Sequence, residues 1–372
     1  MDDKKKCYYK PNVIFPPGDT LREITGEYKM TQTELALRMG RPQKTINEIM
    51  NGKVEITPET ALQLEKVFNI PAHFWNNLES NFREFLARKN EKQKLLENSD
   101  LMKLIPINDM IKKEWIRKFN DQVEQINELL NFFRITSLKQ LFNYWQTKLV
   151  MYKQSKAYDI KNGALFSWLR KGEIEAMKIP CKQYDKAGFK NCLIKIRKLT
   201  NVIEPNKFIP QLQNLCSENG VAVVFVQELK GCRTSGATYW LNPTKAMILL
   251  SLRYKTNDHL WFSFFHEAAH IIYHSKKQYF IEEIIPKKLN KYEEEANKFA
   301  ANFMIPRDKY EIFLKNHIFT RASINQFCKE IEISPGIIVG RIQHDNIIKY
   351  NKLNDLKIKY EWLHNKKSEN YS

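Results

Sequence analysis

Several features are missing from this sequence, and each absence narrows what the chain can be. There is no Cys-x-x-Cys pair: the six cysteines, Cys7, Cys181, Cys192, Cys216, Cys232 and Cys328, are scattered. That argues against a disulfide framework and against a zinc knuckle, and fits reduced thiols in a cytosolic protein. No apolar run approaches the roughly 20 residues needed to cross a bilayer. The opening MDDKKKCYYK has no apolar core behind its charges, so a secretory signal is not expected. Acidic residues are short as well. Asp and Glu number 42 against 60 Lys and Arg, a net charge of +18 with a pI near 9.4. The deficit favours an anionic partner, most often nucleic acid; the competing reading is a genome whose codon usage inflates Lys, Asn and Ile everywhere. The expectation is a cytoplasmic protein, nucleoid-associated when bound to DNA, with no membrane partner.

With 372 residues the chain exceeds one ordinary domain, and its 43% hydrophobic content can fill more than one core. Residues 1–17 read as an extended arm ending in Pro16-Pro17-Gly18. Short helices follow to about residue 80. Residues 81–200 are Lys-, Asn- and Leu-rich, with helical spacing at Trp115, Phe119 and Ile126 and again at Leu141, Tyr144, Trp145 and Leu149. They read as a helical linker or sensor region without assigned chemistry. Near 201 the composition changes. VAVVFVQEL, after Asn219-Gly220, reads as a buried strand, and Thr238 to Leu241 and Ala246 to Leu252 as two more. Helices then resume to about 350, and residues 351–372 read as a tail.

The stretch TQTELALRMGRPQKTINEIMNGK, Thr31 to Lys53, carries the clearest local signals. Thr31 and Glu34 have capping-box spacing, Gly40 can take the positive φ that ends a helix, and Pro42 can open the next in its first turn. Leu35, Ala36 and Met39 form one apolar face, and Ile46, Ile49 and Met50 the next. Thr57-Pro58 starts a fourth helix, with Leu62, Leu64 and Phe68 expected to pack. Two short helices across a glycine turn make a helix-turn-helix, whose second helix enters the major groove. Gln43, Lys44, Thr45 and Asn47 are then the base-reading set, and Arg38, Arg41 and Lys53 the phosphate contacts. The alternative is a plain helical bundle with polar faces. In PPGDTLREI, MTQTELA, KTINEIMNGKVEITPETALQL and FWNNLE the stretch resembles the XRE family, and within it the HigA-type antitoxins. The resemblance implies sequence-specific binding of a double-stranded DNA operator by a homodimer. Arg41-Pro42 departs from the small residues usual there, so base preference does not carry over. These helices also offer one explanation for the basic charge.

The other strong signal is FFHEAAHIIYH, Phe264 to His274. Positions four apart share a helical face, so His266 and His270 can offer two imidazoles to one ion. Glu267, about 100° around, can reach a water on that ion. Two histidine ligands and a glutamate general base are the zincin arrangement, in which zinc acidifies water and polarises a carbonyl. The alternative is a buried helix that carries polar residues by accident. Its flanks are apolar almost all round, so its histidines need partners, and a metal supplies them. His274 lies two turns from His266 and is set aside as a ligand. Tyr273 and Lys276 break the HExxHxxGxxH pattern. A glutamate from a following helix remains. On the wheel of KYEEEANKFAANFMIP, Glu293 falls nearest the apolar stripe, Glu295 farther off and Glu294 nearly opposite. Glu293 is the candidate third ligand, against the alternative of a carboxylate favoured by the helix dipole. Asn297 is a candidate hydrogen-bond partner for a liganding histidine.

AMILLSLRY, FSFFHEAAH and EEEANKFAANFMIP together, with ISPGIIVGRIQHD behind them, resemble the ImmA/IrrE family of zinc metallopeptidases. That resemblance implies Zn2+ held by His266, His270 and Glu293, with Glu267 catalytic, and cleavage of helix-turn-helix repressors. Ala269 stands where many members have glycine. INQFCKEIEISPGIIVGRIQ also has the look of a small helix-turn-helix, though a packing appendage fits it better. The expected fold is multidomain: an all-α helix-turn-helix domain over residues 16–80, a helical middle region over 81–200, an α+β zincin-like metallopeptidase domain over 201–350 and the tail. The expected function is a DNA-binding transcriptional regulator carrying a zinc-dependent endopeptidase that cleaves a regulatory protein, in stress, toxin–antitoxin or mobile-element control. The alternative is a non-catalytic HigA-like antitoxin and autorepressor, whose zincin-like domain senses a ligand or binds a cognate toxin.

Overall fold

The computed structural model describes residues 14–151, 163–274, 280–281, 290–316 and 318–363. The chain forms two compact units, Met1–Asn98 and Ser99–Ser372. Part of the expected arm, residues 1–13, lies outside the described residues, as does 364–372 of the tail.

Among its described residues the first unit has five helices: α1 (Pro17–Glu27), α2 (Gln32–Met39), α3 (Gln43–Met50), α4 (Pro58–Phe68) and α5 (Ala72–Glu97). Pro17 and Gly18 open α1 rather than closing an arm, because Pro is suited to a helix's first position. Helix α5 runs on past residue 80 to Glu97. The core gathers Leu21, Leu35, Ile46, Ile49, Leu64 and Phe68 around Trp75. Leu62, expected to pack, is 53% exposed, since it lies off the stripe that Ala61, Leu64 and Phe68 bury. Glu79 ties α5 to the loop before α4: one carboxylate oxygen accepts from the Ile56 amide at 3.1 Å, the other from Arg83 Nε at 2.6 Å.

The second unit begins with α6 (Ile107–Lys112), α7 (Gln122–Phe133), α8 (Leu138–Met151), α9 (Gly163–Lys178), α10 (Lys186–Lys198) and α11 (Pro205–Ser217). The middle of the chain is helical, but Trp115 and Phe119 sit in the connection between α6 and α7 and not on a helix. A four-stranded sheet follows, ordered β1-β3-β2-β4, from β1 (Val221–Phe225), β2 (Gly236–Asn242), β3 (Lys245–Leu250) and β4 (Phe280–Ile281). β1 runs parallel to β3 with Val221 opposite Ala246, and β2 is antiparallel to β3 with Gly236 opposite Leu250. β1 and β3 are buried along almost their whole length, which is why they read as unbroken apolar runs.

Beyond β3 come α12 (Asn257–Tyr273), α13 (Asn290–Met304), α14 (Arg307–Lys315), α15 (Arg321–Ile331) and α16 (Pro335–His344). Helix α12 is the spine of this unit: Leu260, Trp261, Phe264, Phe265, Ile271 and Ile272 are all buried. Its start is clamped by Asn257, which donates to Ser334 Oγ at 2.9 Å and accepts from the Ile358 amide at 3.0 Å. The chain therefore packs on the unit as far as Tyr360, which is buried. Helices α15 and α16 are the second helix-turn-helix-like stretch. Ile324, Phe327, Ile331, Ile337 and Ile342 all point inward, and α16 is buried on most of its surface, so it has no free face for a groove.

The units differ in charge. Residues 1–98 hold 16 Lys and Arg against 14 Asp and Glu, a net +2, whereas residues 99–372 hold 44 against 28, a net +16. The explanation sought in the helices around Lys44 is thereby corrected: the positive charge is in the other unit.

Candidate metal centre and nucleic-acid interface

Helix α12 is apolar nearly all round and so is drawn inside, carrying His266, Glu267 and His270 with it. His266, Glu267 and His270 are 5%, 2% and 2% exposed. One turn apart on one face, the two histidines bring their Nε2 atoms to 3.0 Å. Helix α13 packs against α12 and delivers Glu293, whose Oε2 lies 3.1 Å from His266 Nε2 and Oε1 3.3 Å from His270 Nε2. One ligand atom from each of the three fits within 4.8 Å of the others. The wheel position of Glu293 and the exposure of Glu294 are as read from the sequence.

The opposite ring nitrogens fix the tautomers. His266 Nδ1 is 2.9 Å from Asn297 Oδ1, an acceptor, so the proton sits on Nδ1 and the Nε2 lone pair faces Glu293. His270 Nδ1 is 2.8 Å from His274 Nδ1, and His274 Nε2 is 3.4 Å from Glu295 Oε2. The arrangement runs in one direction. The Glu295 carboxylate accepts from His274 Nε2–H, His274 Nδ1 accepts from His270 Nδ1–H, and His270 Nε2 is left as a lone pair. Burial, then the neighbouring His266 and His274, hold His270 far below the usual imidazole range, and burial also lowers His274 against the opposing pull of Glu295. Both rings are therefore neutral, the state a metal ligand requires.

Two imidazole lone pairs 3.0 Å apart, facing a carboxylate, repel one another unless a cation lies between them. Two neutral histidines and one glutamate with an open fourth position are the donor set of a hydrolytic zinc site. The residues present fit such an ion.

Glu267 sits one residue beyond His266, packed against the first residue of β2. A Cβ built on Gly236 would fall 2.7 Å from Glu267 Oε1 and 2.9 Å from its Cγ. Thr238, also on β2, donates from Oγ1 to the Glu267 carbonyl at 3.4 Å. Beside the centre, on the Asn297 side, lies a cavity of about 460 Å3 lined by Phe262, Ser263, Met304 and Lys298 among others. Sequence reasoning missed Gly236, Glu295 and the contact made by His274. The four-residue spacing from His270 to His274 is the available signal, since it suits ring-to-ring hydrogen bonding as well as ligation.

In the first unit the turn falls where its residues place it, with two corrections: Pro42 is the N-cap of α3 and not in its first turn, and the capping box is only half made because the Glu34 carboxylate pairs with Arg38. Thr31 Oγ1 accepts from the Glu34 amide at 3.2 Å. Gly40 is left-handed at φ 63°, and the Arg41 amide reaches back to the Ala36 carbonyl at 3.0 Å. Gln43, Lys44, Asn47 and Lys53 are exposed and Thr45 is half-buried. Asn47 Oδ1 accepts from Asn51 Nδ2 at 2.8 Å, which orients its amide. Arg41 is half-buried and donates from Nε to Gln63 Oε1 at 2.6 Å, so it braces α4, and Arg38 pairs with Glu34 at 2.6 Å.

Comparisons with known proteins meet these two sites. Residues 218–342 match the IrrE N-terminal-like domain of the M78 peptidase family, and residues 21–75 match the helix-turn-helix family. The uncharacterized HTH-type transcriptional regulator YddM of Escherichia coli (strain K12) is 31% identical over 64 residues, 17% of this chain and 68% of that protein. The structure of an addiction module antidote protein of the HigA family from Coxiella burnetii is 32% identical, over 23% of this chain and 92% of that one, with a TM-score of 0.21. Pseudomonas aeruginosa antitoxin HigA, solved with the higBA promoter, is 25% identical over 23% of this chain and 95% of its own, with a TM-score of 0.22. Among the described residues no helix is long and apolar enough to cross a membrane. The chain belongs to the XRE-type helix-turn-helix transcriptional regulators and joins that N-terminal domain to a C-terminal M78, ImmA/IrrE-like, peptidase domain.

Proposed function

We propose that the protein is a promoter-binding regulator whose C-terminal unit is a zinc-dependent endopeptidase acting on a regulatory protein. The observation that carries the peptidase reading is the convergence of His266, His270 and Glu293 with Glu267 on the next position of the same helix. A zinc ion held by those three side chains would supply Lewis-acid polarisation of the scissile carbonyl and lower the pKa of water. The chain's own residues do the rest. Asn297 and His274 hold the two rings in the tautomers that present Nε2. Glu267 takes the proton of the attacking water and returns it to the leaving amine. Gly236 leaves the room in which that carboxylate lies. The cavity bounded by Phe262 and Met304 receives a side chain of the substrate beside the cleaved bond.

At the other end, α3 reads base edges with Gln43, Lys44 and Asn47, Thr45 supports it, and Lys53 and Arg38 serve phosphates, while Arg41, expected to do the same, is held by Gln63. A homodimer on two half-sites one helical turn apart suits such a helix. The test is Glu267→Gln. The variant keeps its metal and its DNA binding and loses at least roughly a hundredfold in hydrolysis of helix-turn-helix repressor proteins offered as substrates. Promoter control that survives in the variant, with no proteolysis at any time in the metal-loaded wild type, would establish the non-catalytic antitoxin reading instead.

A further inference from the structure

The charge of this chain is concentrated where neither family match reaches. Residues 99–200 lie between the two matched segments and hold 20 Lys and Arg against 10 Asp and Glu, a net +10 in about a quarter of the chain. A genome-wide bias toward lysine codons does not explain this. The first unit has 16 Lys and Arg in 98 residues, much the same density as the second unit, with 44 in 274; what differs is the supply of acids.

Within residues 99–200 the charge gathers on α10. Its sequence, KAGFKNCLIKIRK, has five basic residues and no acid. Asp185, just before it, is held at the N-cap, accepting from the Ala187 amide at 3.0 Å. Phe189, Leu193 and Ile196 bury one face in the core. Arg197 turns inward and donates to the carbonyls of Phe303, Met304 and Ile331 at 3.1, 3.0 and 2.7 Å, which locks the helix in place. Lys186, Lys190 and Lys195 are left exposed with Lys182 just ahead of them, and among the described residues none of these four is in an ion pair. Lys190 lies over the exposed ring of Tyr273 at 5.1 Å.

We propose that the exposed surface of α10, with Lys186 and Lys190 along one edge and Lys195 along the other, is a second, sequence-independent contact for duplex DNA, alongside the operator read by the first unit. Lys186 to Lys195 spans about 14 Å of helix axis, a length over which B-DNA carries about eight phosphates. Phosphate neutralisation dominates affinity for DNA, and the first unit's phosphate contacts, Lys53 and Arg38, are few. Once that unit has found its site, flanking duplex is held at high effective concentration near the rest of the same chain. A membrane surface fits less well. An interfacial helix needs its apolar face outward, and α10 buries its own, with only Ile194 exposed. The proposal rests on DNA binding by the helix-turn-helix unit and is independent of the peptidase reading.

The test uses the full chain, a 30-base-pair duplex of arbitrary sequence and fluorescence anisotropy from about 50 to about 300 mM KCl. Lys182→Gln, Lys186→Gln, Lys190→Gln and Lys195→Gln together should flatten the slope of log affinity against log salt by about 3.6, at roughly 0.9 for each phosphate left without its lysine, and weaken binding at about 100 mM salt by at least about tenfold. Should the fourfold variant fail to fold, Lys186→Gln with Lys190→Gln reads the same quantity, with a slope change of about 2. An unchanged slope in a variant with wild-type circular dichroism and melting temperature would overturn the proposal. So would a loss of binding to phosphatidylserine vesicles or to an acidic protein while the duplex slope stays put.

Discussion

The two units solve opposite problems with their polar residues. The first exposes them: Gln43, Lys44 and Asn47 stand outward on a helix whose other face is core, in a unit with almost no net charge. The second buries its functional groups: His266, Glu267, His270 and Glu293 are all under a tenth exposed, in a unit of net +16. Specificity can be presented on a neutral surface because base edges are read by hydrogen bonds. Metal chemistry gains from the reverse, since burial holds the imidazoles neutral over a wider pH range and keeps water scarce.

The largest expected effect breaks the buried half alone. Glu293→Gln or His266→Ala should take the metal content of purified protein from one ion per chain to none, read by inductively coupled plasma mass spectrometry. Chelation should lower the melting temperature of the second unit and leave the first unchanged, because a ligand stabilises only the unit that binds it. His274→Ala should retain the ion but weaken its affinity about 10–100-fold, the usual cost of losing the partner that orients a liganding histidine. Metal affinity equal to wild type in that variant would show that the His270–His274 contact orients nothing.

The converse break falls on the first unit. Gly18 lets α1 approach the end of α3 so closely that a Cβ there would collide with the carbonyl oxygens of Ile49 and Met50. Backbone atoms cannot move aside as a side-chain tip can. Gly18→Ala should cost about 1–3 kcal/mol or more. In calorimetry the melting of the first unit should shift down while metal content stays at wild type. Gly236→Val applies the same steric logic to the second unit. The new side chain meets the carboxylate of Glu267, so peptide hydrolysis should fall at least tenfold with the metal retained. Full activity in that variant would mean that the position of Glu267 is not set by β2.

How much of this was legible in the sequence follows from the range of each interaction. The turn at Gly40, the caps at Thr31 and Thr57 and the pairing of His266 with His270 are set within a few residues, and each was readable. Glu293 was readable because helical periodicity says which carboxylate faces the core, although nothing local says that α13 lies against α12. Leu62 was misjudged because an apolar residue on a short helix says little about which side is covered. Gly236 was invisible: its role exists only where β2 passes Glu267, some 30 residues later in the chain. The charge partition needs only the unit boundary, and the net charge of the whole chain hides it by averaging two unlike units.

The smallest expected effect sharpens the comparison within DNA binding itself. On an operator selected from a random library, Asn47→Ala should cost about 1–3 kcal/mol if Asn47 makes a paired contact to one base. It removes no charge, so the dependence of affinity on salt should not move. Lys44 is 85% exposed, with Glu48 3.9 Å away. Lys44→Gln should change the salt slope by no more than about 1 if the lysine reaches a phosphate. A large slope change from Lys44 alone would place the electrostatic contact in the first unit after all, and the division of labour between a neutral reader and a basic partner would fail.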